Sequence, residues 1–321
     1  MLCLKSAIIA MVALFPLSAS ASEWRPTQAV KLVVPFAAGG VTDSVARIIG
    51  GALQEMLGRP VIIENKTGAG GAVAAKSVAQ ADPDGHSLFL ATIGTNAIAP
   101  SLIKDLSYDP LRDFTPIALV TSTPMLLVVN SKSPVTSVKE LVEMGRKRSL
   151  TFGSSGVGSA VHLANEWFVA MAKLEAVHVA YRGSAQSITD LMAGRLDFII
   201  DPVSSTMPFI ASGDLRMLAM STNDTMGLAG LDNVRPIADS FPGYDSIVWN
   251  GIVAPAKTPS NIVETYGKAI QKILSEPAIR KKLLDVGAAP TFMANDAFDR
   301  LIRSETEKYA GIIKNAGIQK Q

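Results

Sequence analysis

Cysteine is almost absent from this chain: the only one in 321 residues is Cys3. No disulfide can therefore brace the fold, and no cysteine cluster can hold a structural metal. Histidine is nearly as scarce. His86, His162 and His178 lie in separate segments with no second ligand at metal spacing, so neither a metal nor a cofactor is expected. Charge is sparse and balanced, with 18% charged residues and a net charge of +2. No basic block or aromatic-plus-basic stripe occurs, which argues against a nucleic-acid partner. The run Arg146-Lys147-Arg148 reads as a solvated helix end, where positive charge is favourable. Beyond the N-terminus no apolar run is long enough to span a bilayer.

What is present starts with an export pattern. Lys5 is followed by eleven apolar residues, Ala7 to Leu17, and then by Ala19-Ser20-Ala21. Small residues at the last and third-last of these positions fit a cut before Ser22. Residues 1–21 are thus expected to be a cleavable secretory signal. The apolar run contains Pro16 and is shorter than the roughly 20 residues of a membrane span. No cysteine ends it, so no lipid anchor is expected, and the mature chain should be soluble and periplasmic.

Hydrophobic residues make up 48% of the chain, ample for burial, and its length exceeds what one core usually serves. Two lobes are the expectation. Strands and helices alternate, as in parallel sheets covered by helices. A strand at 30–36 runs into a glycine turn and a helix from Thr42 to Leu57, whose apolar residues recur at helical spacing from Val45 to Leu57. Strands at 61–64 and 87–91 follow the same plan. The apolar stretch 116–130 predicts two strand segments broken at Pro124 and a crossing between lobes, with a return crossing at 247–254. Strands at 150–152, 176–181, 196–200 and 216–220 belong to the second lobe. Helices at 259–275, 276–286 and 295–315 should pack back onto the first.

Three loops share a composition: Gly39-Gly40-Val41-Thr42-Asp43, Gly153 to Ser159, and Arg182-Gly183-Ser184. Each opens a helix. Glycine lets a ligand approach the backbone, hydroxyls donate hydrogen bonds, and helix N-termini favour anions. Thr42, Asp43 and Ser159 would serve singly as N-caps, but three such loops on one sheet edge point to ligand binding. Asp43 could cap its helix or meet a ligand amine. Asp201, at a strand end near the expected cleft, faces the same choice, and Tyr181 could stack on a ligand. His162 lies in the first turn of the helix after the serine loop.

Signals for catalysis are missing. Gly153 to Val157 is not a nucleophile elbow, because Val157 stands where the second glycine belongs. Gly68 to Val73 misses the dinucleotide fingerprint, and no phosphate loop occurs. A secreted serine hydrolase using the Ser154–Ser159 loop with His162 is the alternative class, but no carboxylate at recognisable spacing would orient the imidazole. A transcription-regulator effector lobe pair conflicts with the export signal and with the lack of a DNA-binding segment.

Several segments together resemble one family. They are Val33-Val34-Pro35-Phe36-Ala37-Ala38-Gly39-Gly40 with Asp43 and Arg47, Glu64-Asn65-Lys66-Thr67-Gly68-Ala69-Gly70-Gly71, Asp82-Pro83-Asp84-Gly85, and Tyr108-Asp109-Pro110 with Asp113-Phe114. Gly153 to Ser159 with His162, Tyr181-Arg182-Gly183, and Trp249-Asn250-Gly251 with Ala254-Pro255 complete the set. In this order and spacing the chain resembles the substrate-binding proteins of tripartite tricarboxylate transporters, the Bug receptors. Ala38 replaces a common proline, Ala180-Tyr181-Arg182-Gly183 replaces Pro-Tyr-Lys-Gly, and 231–240 follows the family pattern poorly.

The resemblance implies an α/β, type II Venus-flytrap receptor, each lobe a mainly parallel sheet flanked by helices. It implies no catalytic site. A small carboxylate-bearing ligand, an organic acid or an amino acid, would be held between lobes and passed by a monomeric receptor to permease subunits. Signalling to a sensor kinase is the other role such closure can serve. The expected lobes are 22–123 with 251–321, and 124–250. First-lobe contacts would be Phe36, Ala37, Gly39, Gly40, Thr42, Asp43, Gly94, Thr95 and Asn96. Second-lobe contacts would be Ser154, Ser155, Gly158, Ser159, Tyr181, Gly183, Ser184 and Asp201, with His162 beside them.

Overall fold

The computed structural model describes residues 24–320. The expected signal segment lies outside them. In chain order the elements are β1 (Val30–Val34), α1 (Val41–Leu57), β2 (Val61–Asn65), α2 (Ala72–Ala79), β3 (Ser87–Thr92), α3 (Ala99–Leu102) and β4 (Phe114–Asn130). Then come α4 (Val138–Gly145), β5 (Leu150–Ser154), α5 (Ala160–Ala172), β6 (Ala176–Ala180), α6 (Ser184–Met192), β7 (Ile199–Pro202), α7 (Val203–Ala211) and β8 (Leu215–Met220). The last are β9 (Ile247–Pro255), α8 (Ser260–Ser275), α9 (Pro277–Asp285), β10 (Ala289–Ala294) and α10 (Asn295–Asn315). A 3-10 turn at Ala69–Gly71 precedes α2, and a π-type turn at Gly94–Ile98 precedes α3.

The fold is α/β with mixed sheets. The first sheet runs β10-β4-β9-β3-β1-β2. β1, β2 and β3 are parallel, while β9 is antiparallel to both β3 and β4. β4 is the crossing strand. Its first part pairs with β9 and β10, and its last residues pair with β7 and β8. Parallel β5 and β6 join this second group through a bridge between Phe152 and Phe198.

One expectation fails here: β4 is a single strand of 17 residues, not two segments broken at Pro124. Pro124 sits where β4 pairs with Ile247 of β9, near the end of that pairing, so its missing N–H removes little from the ladder. A second difference is α7, a helix between β7 and β8 that the polar Ser204-Ser205-Thr206 and internal Pro208 concealed.

Strand alternation divides the cores. Val30, Leu32 and Val34 face α1 and α8, packing with Ile49, Leu53, Tyr266 and Ile270. Val33 and Phe89 face the other side, with Val78, Phe298 and Tyr309. Along β4, Met125, Leu127 and Val129 pack with Leu141 and Phe168, whereas Leu126 and Val128 pack with Ile188 and Leu191. Each side chain of this size contributes about 1.5–3 kcal/mol on burial. Helices therefore cover both faces of each sheet, and the loops that start those helices are left at the strand ends.

Candidate functional site

The β1–α1 loop is held by a buried carboxylate. Asp43, in the first turn of α1, accepts from the Gly39 N–H at 2.9 Å and from Arg47 Nε at 2.9 Å. Asn65, at the end of β2, donates to Asp43 Oδ1 and to the Phe36 carbonyl, both at 2.9 Å. Burial alone would raise the Asp43 carboxyl; bonds from Arg47, Gly39 and Asn65 outweigh it and hold the group below the ordinary range. All of Asp43's acceptor capacity is thus directed inward, and Asn65 shapes the loop, a role its place in the Glu64 to Gly71 segment does not announce. Gly40, not Thr42, is the N-cap, and no side chain caps this helix. Phe36 is left 41% exposed, beside exposed Ala37, Gly39 and Gly40.

The segment after β3 differs from the expected open loop. Thr95 and Asn96 are wholly buried in the π-type turn. Thr95 Oγ1 accepts from the Thr92 N–H at 3.0 Å and donates to Asn96 Oδ1 at 2.8 Å, while Tyr108 donates to the Thr95 carbonyl at 2.6 Å. The Thr95 and Asn96 side chains are both turned into the fold, with Asn96 Nδ2 left without a partner among the described residues. Of the three positions, Gly94 alone retains partial exposure. A Cβ at Gly71 would crowd both Thr95 and Pro35, so the loops after β1, β2 and β3 lie side by side.

The serine loop rests on two imidazoles. Ser154, wholly buried, places its Oγ 2.6 Å from His178 Nε2, and that Oγ also accepts from the Gly156 N–H at 3.1 Å. His162 Nδ1 accepts from the Gly158 N–H at 3.0 Å, and Nε2 lies 3.3 Å from Glu166. The acceptor role of Nδ1 assigns the ring hydrogen to Nε2. Ser159 is the N-cap of α5, accepting from the His162 N–H at 3.1 Å. Ser159 and His162 therefore meet through a backbone N–H, not as hydroxyl and base. The hydroxyl–imidazole pair that does form, Ser154 with His178, is buried under the loop. Burial and the neighbouring His162 push the His178 pKa down to about 4, against a smaller opposing effect of Glu166. Nothing in the spacing of 154 and 178 could have announced this pair, because it depends on the parallel register of β5 and β6.

The loops after β5 and β6 lie close together. A Cβ at Gly156 would touch the Tyr181 carbonyl, and one at Gly158 would overlap Leu102 of α3. The second contact brings the serine loop against the segment that follows β3. Tyr181 donates to Asp190 Oδ2 at 2.7 Å, so its ring is anchored by α6, and burial with that acceptor pushes its pKa up to about 12. Ser184 donates to Asp201 Oδ2 at 2.7 Å. Gly183, at a φ of 147°, is open above its position.

The expected contact residues thus divide. Phe36, Ala37, Gly39, Gly40, Thr42, Gly94, Ser155, Ser159, Tyr181, Gly183 and Ser184 keep exposed surface; Asp43, Thr95, Asn96, Ser154, Gly158, His162 and Asp201 are buried beneath them. Val157 adds an apolar surface, 46% exposed. No group of three or more His, Cys, Asp or Glu among the described residues could hold a metal. Among the described residues, no helix is long and apolar enough to cross a membrane.

Comparison with known proteins gives the same picture. Residues 45–318 match the model of the family described as "Tripartite tricarboxylate transporter family receptor". A curated relative from Pseudomonas sp. (strain P51), "UPF0065 protein in tcbD-tcbE intergenic region", is 33% identical over 90% of this chain and 86% of its own. Among solved structures, R. palustris Rpa4515 with adipate is 34% identical with a TM-score of 0.80, covering 92% of this chain and 99% of that one. MatC from Rhodopseudomonas palustris with bound malate is 30% identical with a TM-score of 0.73, covering 90% and 99%. This chain belongs to the tripartite tricarboxylate transporter receptor family, whose members are solute-binding receptors.

Proposed function

We propose that this chain captures a small carboxylate-bearing solute between two lobes, 22–123 with 251–321 and 124–250, and delivers it to a tripartite tricarboxylate-type permease. Residues 1–21 would direct it to the periplasm, and it would act as a monomer.

One observation carries the reading. The buried polar side chains under the strand-end loops are spent on one another: Asp43 on Gly39, Arg47 and Asn65, Ser154 on His178, and His162 on Gly158. What the loops offer outward is backbone N–H groups at the starts of α1, α5 and α6, hydroxyls, apolar Phe36 and Val157, and one exposed cation, Arg182. Such a surface suits an anionic end group on a small carbon skeleton better than a ligand of many charges, which would demand more cations than Arg182 alone. The adipate and malate in the two related structures are of this kind. Closure of the lobes about β4 and β9 would expel water and add hydrogen bonds from both sides.

The test is native mass spectrometry of protein purified from periplasm, followed by a thermal-shift screen with adipate and malate. A co-purifying small acid, or a saturable rise in melting temperature, is expected, since a ligand that binds only the folded state stabilises it. No adduct and no shift with any carboxylate would overturn the reading.

A further inference from the structure

Asp201 is wholly buried, yet no cation is paired with it. Its partners are two hydroxyls. Ser184 Oγ lies 2.7 Å from Oδ2, and Ser205 Oγ, in the first turn of α7, is in close contact with Oδ1. Ser205 Oγ also lies 2.8 Å from the Pro202 carbonyl. Each hydroxyl has one hydrogen. If Asp201 is ionised, Ser184 and Ser205 must both donate to it, and Ser205 then faces the Pro202 carbonyl lone pair to lone pair. With a hydrogen on Oδ1, the chain closes: Asp201 donates to Ser205, Ser205 to Pro202, and Ser184 to Oδ2.

Among the described residues no ion pair reaches Asp201 from the elements around it, and Arg182, two residues before Ser184, is exposed. β7 is packed by β4, β5, α5, α6 and α7. β4, β5 and α7 carry no titratable residue. On α5, His162 and Glu166 face each other, and on α6, Asp190 is taken by Tyr181 and Arg195. His178, on neighbouring β6, is taken by Ser154.

The position of that hydrogen decides what Ser184 can do. While Ser184 donates to Asp201, its oxygen can only accept. When the hydrogen lies on Oδ2, Asp201 donates to Ser184 and the freed Ser184 hydrogen can go to an anion, whose charge-assisted bond offsets the Ser205–Pro202 bond that this arrangement gives up. An ionised Asp201 forbids this arrangement. We propose that Asp201 is a proton-bearing positioning residue that turns Ser184 into a donor, so that a ligand carboxylate and one proton are bound together. The inference rests on the carboxylate reading of the site.

Burial pushes the Asp201 pKa up to about 6, against the two serine bonds, so the coupling falls in an accessible range. Adipate and malate serve as probes, between pH 6.5 and 8, where both are fully ionised. Wild-type affinity is expected to fall as pH rises, by up to about ten-fold per unit, with net proton uptake in calorimetry. In Asp201→Asn the amide donates permanently, so affinity should be nearly flat. Ser184→Ala, which leaves Asp201 in place, should also lose the slope, and it serves if the first variant folds poorly. Binding with no proton uptake, or an equal slope in wild type and Asp201→Asn, would overturn the coupling and leave the receptor reading standing. No binding by wild type or Asp201→Asn at any pH would remove both.

Discussion

The rings of His162 and His178 stack with centroids 3.8 Å apart, and each secures a different part of the serine loop. His162 holds the Gly158 N–H through Nδ1, and His178 holds Ser154 through Nε2. Burial and the nearness of His162 both disfavour a positive charge on His178.

That relationship sets an acid limit. The His178 pKa is depressed to about 4 from 6.5, so the unfolded chain binds more protons between those values and stability falls as pH drops through them. The ring is partly solvated, which cuts the effect to about 1 kcal/mol. Thermal melts of wild type and His178→Gln from pH 7 to 4.5 should show the steeper fall in wild type. Parallel curves would mean that the pair does not report on acid stability.

Asp201 has the opposite sign. A carboxyl whose folded pKa is raised stabilises the fold while protonated and loses that contribution as pH climbs through the folded value. The rise from 3.8 to about 6 corresponds to about 2–3 kcal/mol lost between pH 4 and 7. Asp201→Asn should therefore gain stability relative to wild type as pH rises across this window, as chemical denaturation at pH 4.5 and 7.5 would show.

Gly158 is fixed by two separate constraints. Its φ is 74°, and a Cβ there would overlap the Leu102 side chain. Gly158→Ala should cost about 2 kcal/mol or more from strain and overlap together. Leu102→Ala in the same chain relieves the overlap but not the backbone strain, so the double variant should recover part of the loss relative to the sum of the singles. Simple additivity would show that the serine loop does not rest on α3.

Asn65 joins two parts of the β1–α1 loop through one amide nitrogen, donating to Phe36 and Asp43. Asn65→Ala leaves the buried Asp43 carboxylate with Arg47 and Gly39 as its donors. A loss of about 1–2 kcal/mol is expected, together with weaker binding of whichever carboxylate the screen identifies. Unchanged affinity in a variant of reduced stability would assign Asn65 to the fold and not to the site.

The strand–helix order was legible because it is written locally. Val45, Ile49 and Leu53 repeat at helical spacing and do face one core, and α8, α9 and α10 fall within a residue or two of the expected ranges. β4 was misread because Pro124 is a strong local break signal, whereas its position near the end of the β9 pairing makes it tolerable. Gly94-Thr95-Asn96 looked like an open loop by composition. Tyr108, thirteen residues further on, closes it from outside.

By itself the sequence determined the secondary-structure order, the strand-end loops with glycine and hydroxyl residues, and the segments that mark the family. These follow from periodicity and composition within short stretches, where backbone preference and burial pattern act residue by residue. Only the tertiary structure decided which loop groups face outward and which are spent. Asp43 turns to Asn65, Ser154 to His178, and Asp201 to Ser184 and Ser205, across 22, 24, 17 and 4 residues of chain. A hydrogen bond is chosen by distance in space and by the loss of competing water, and apart from the Ser205 contact neither is encoded in local spacing.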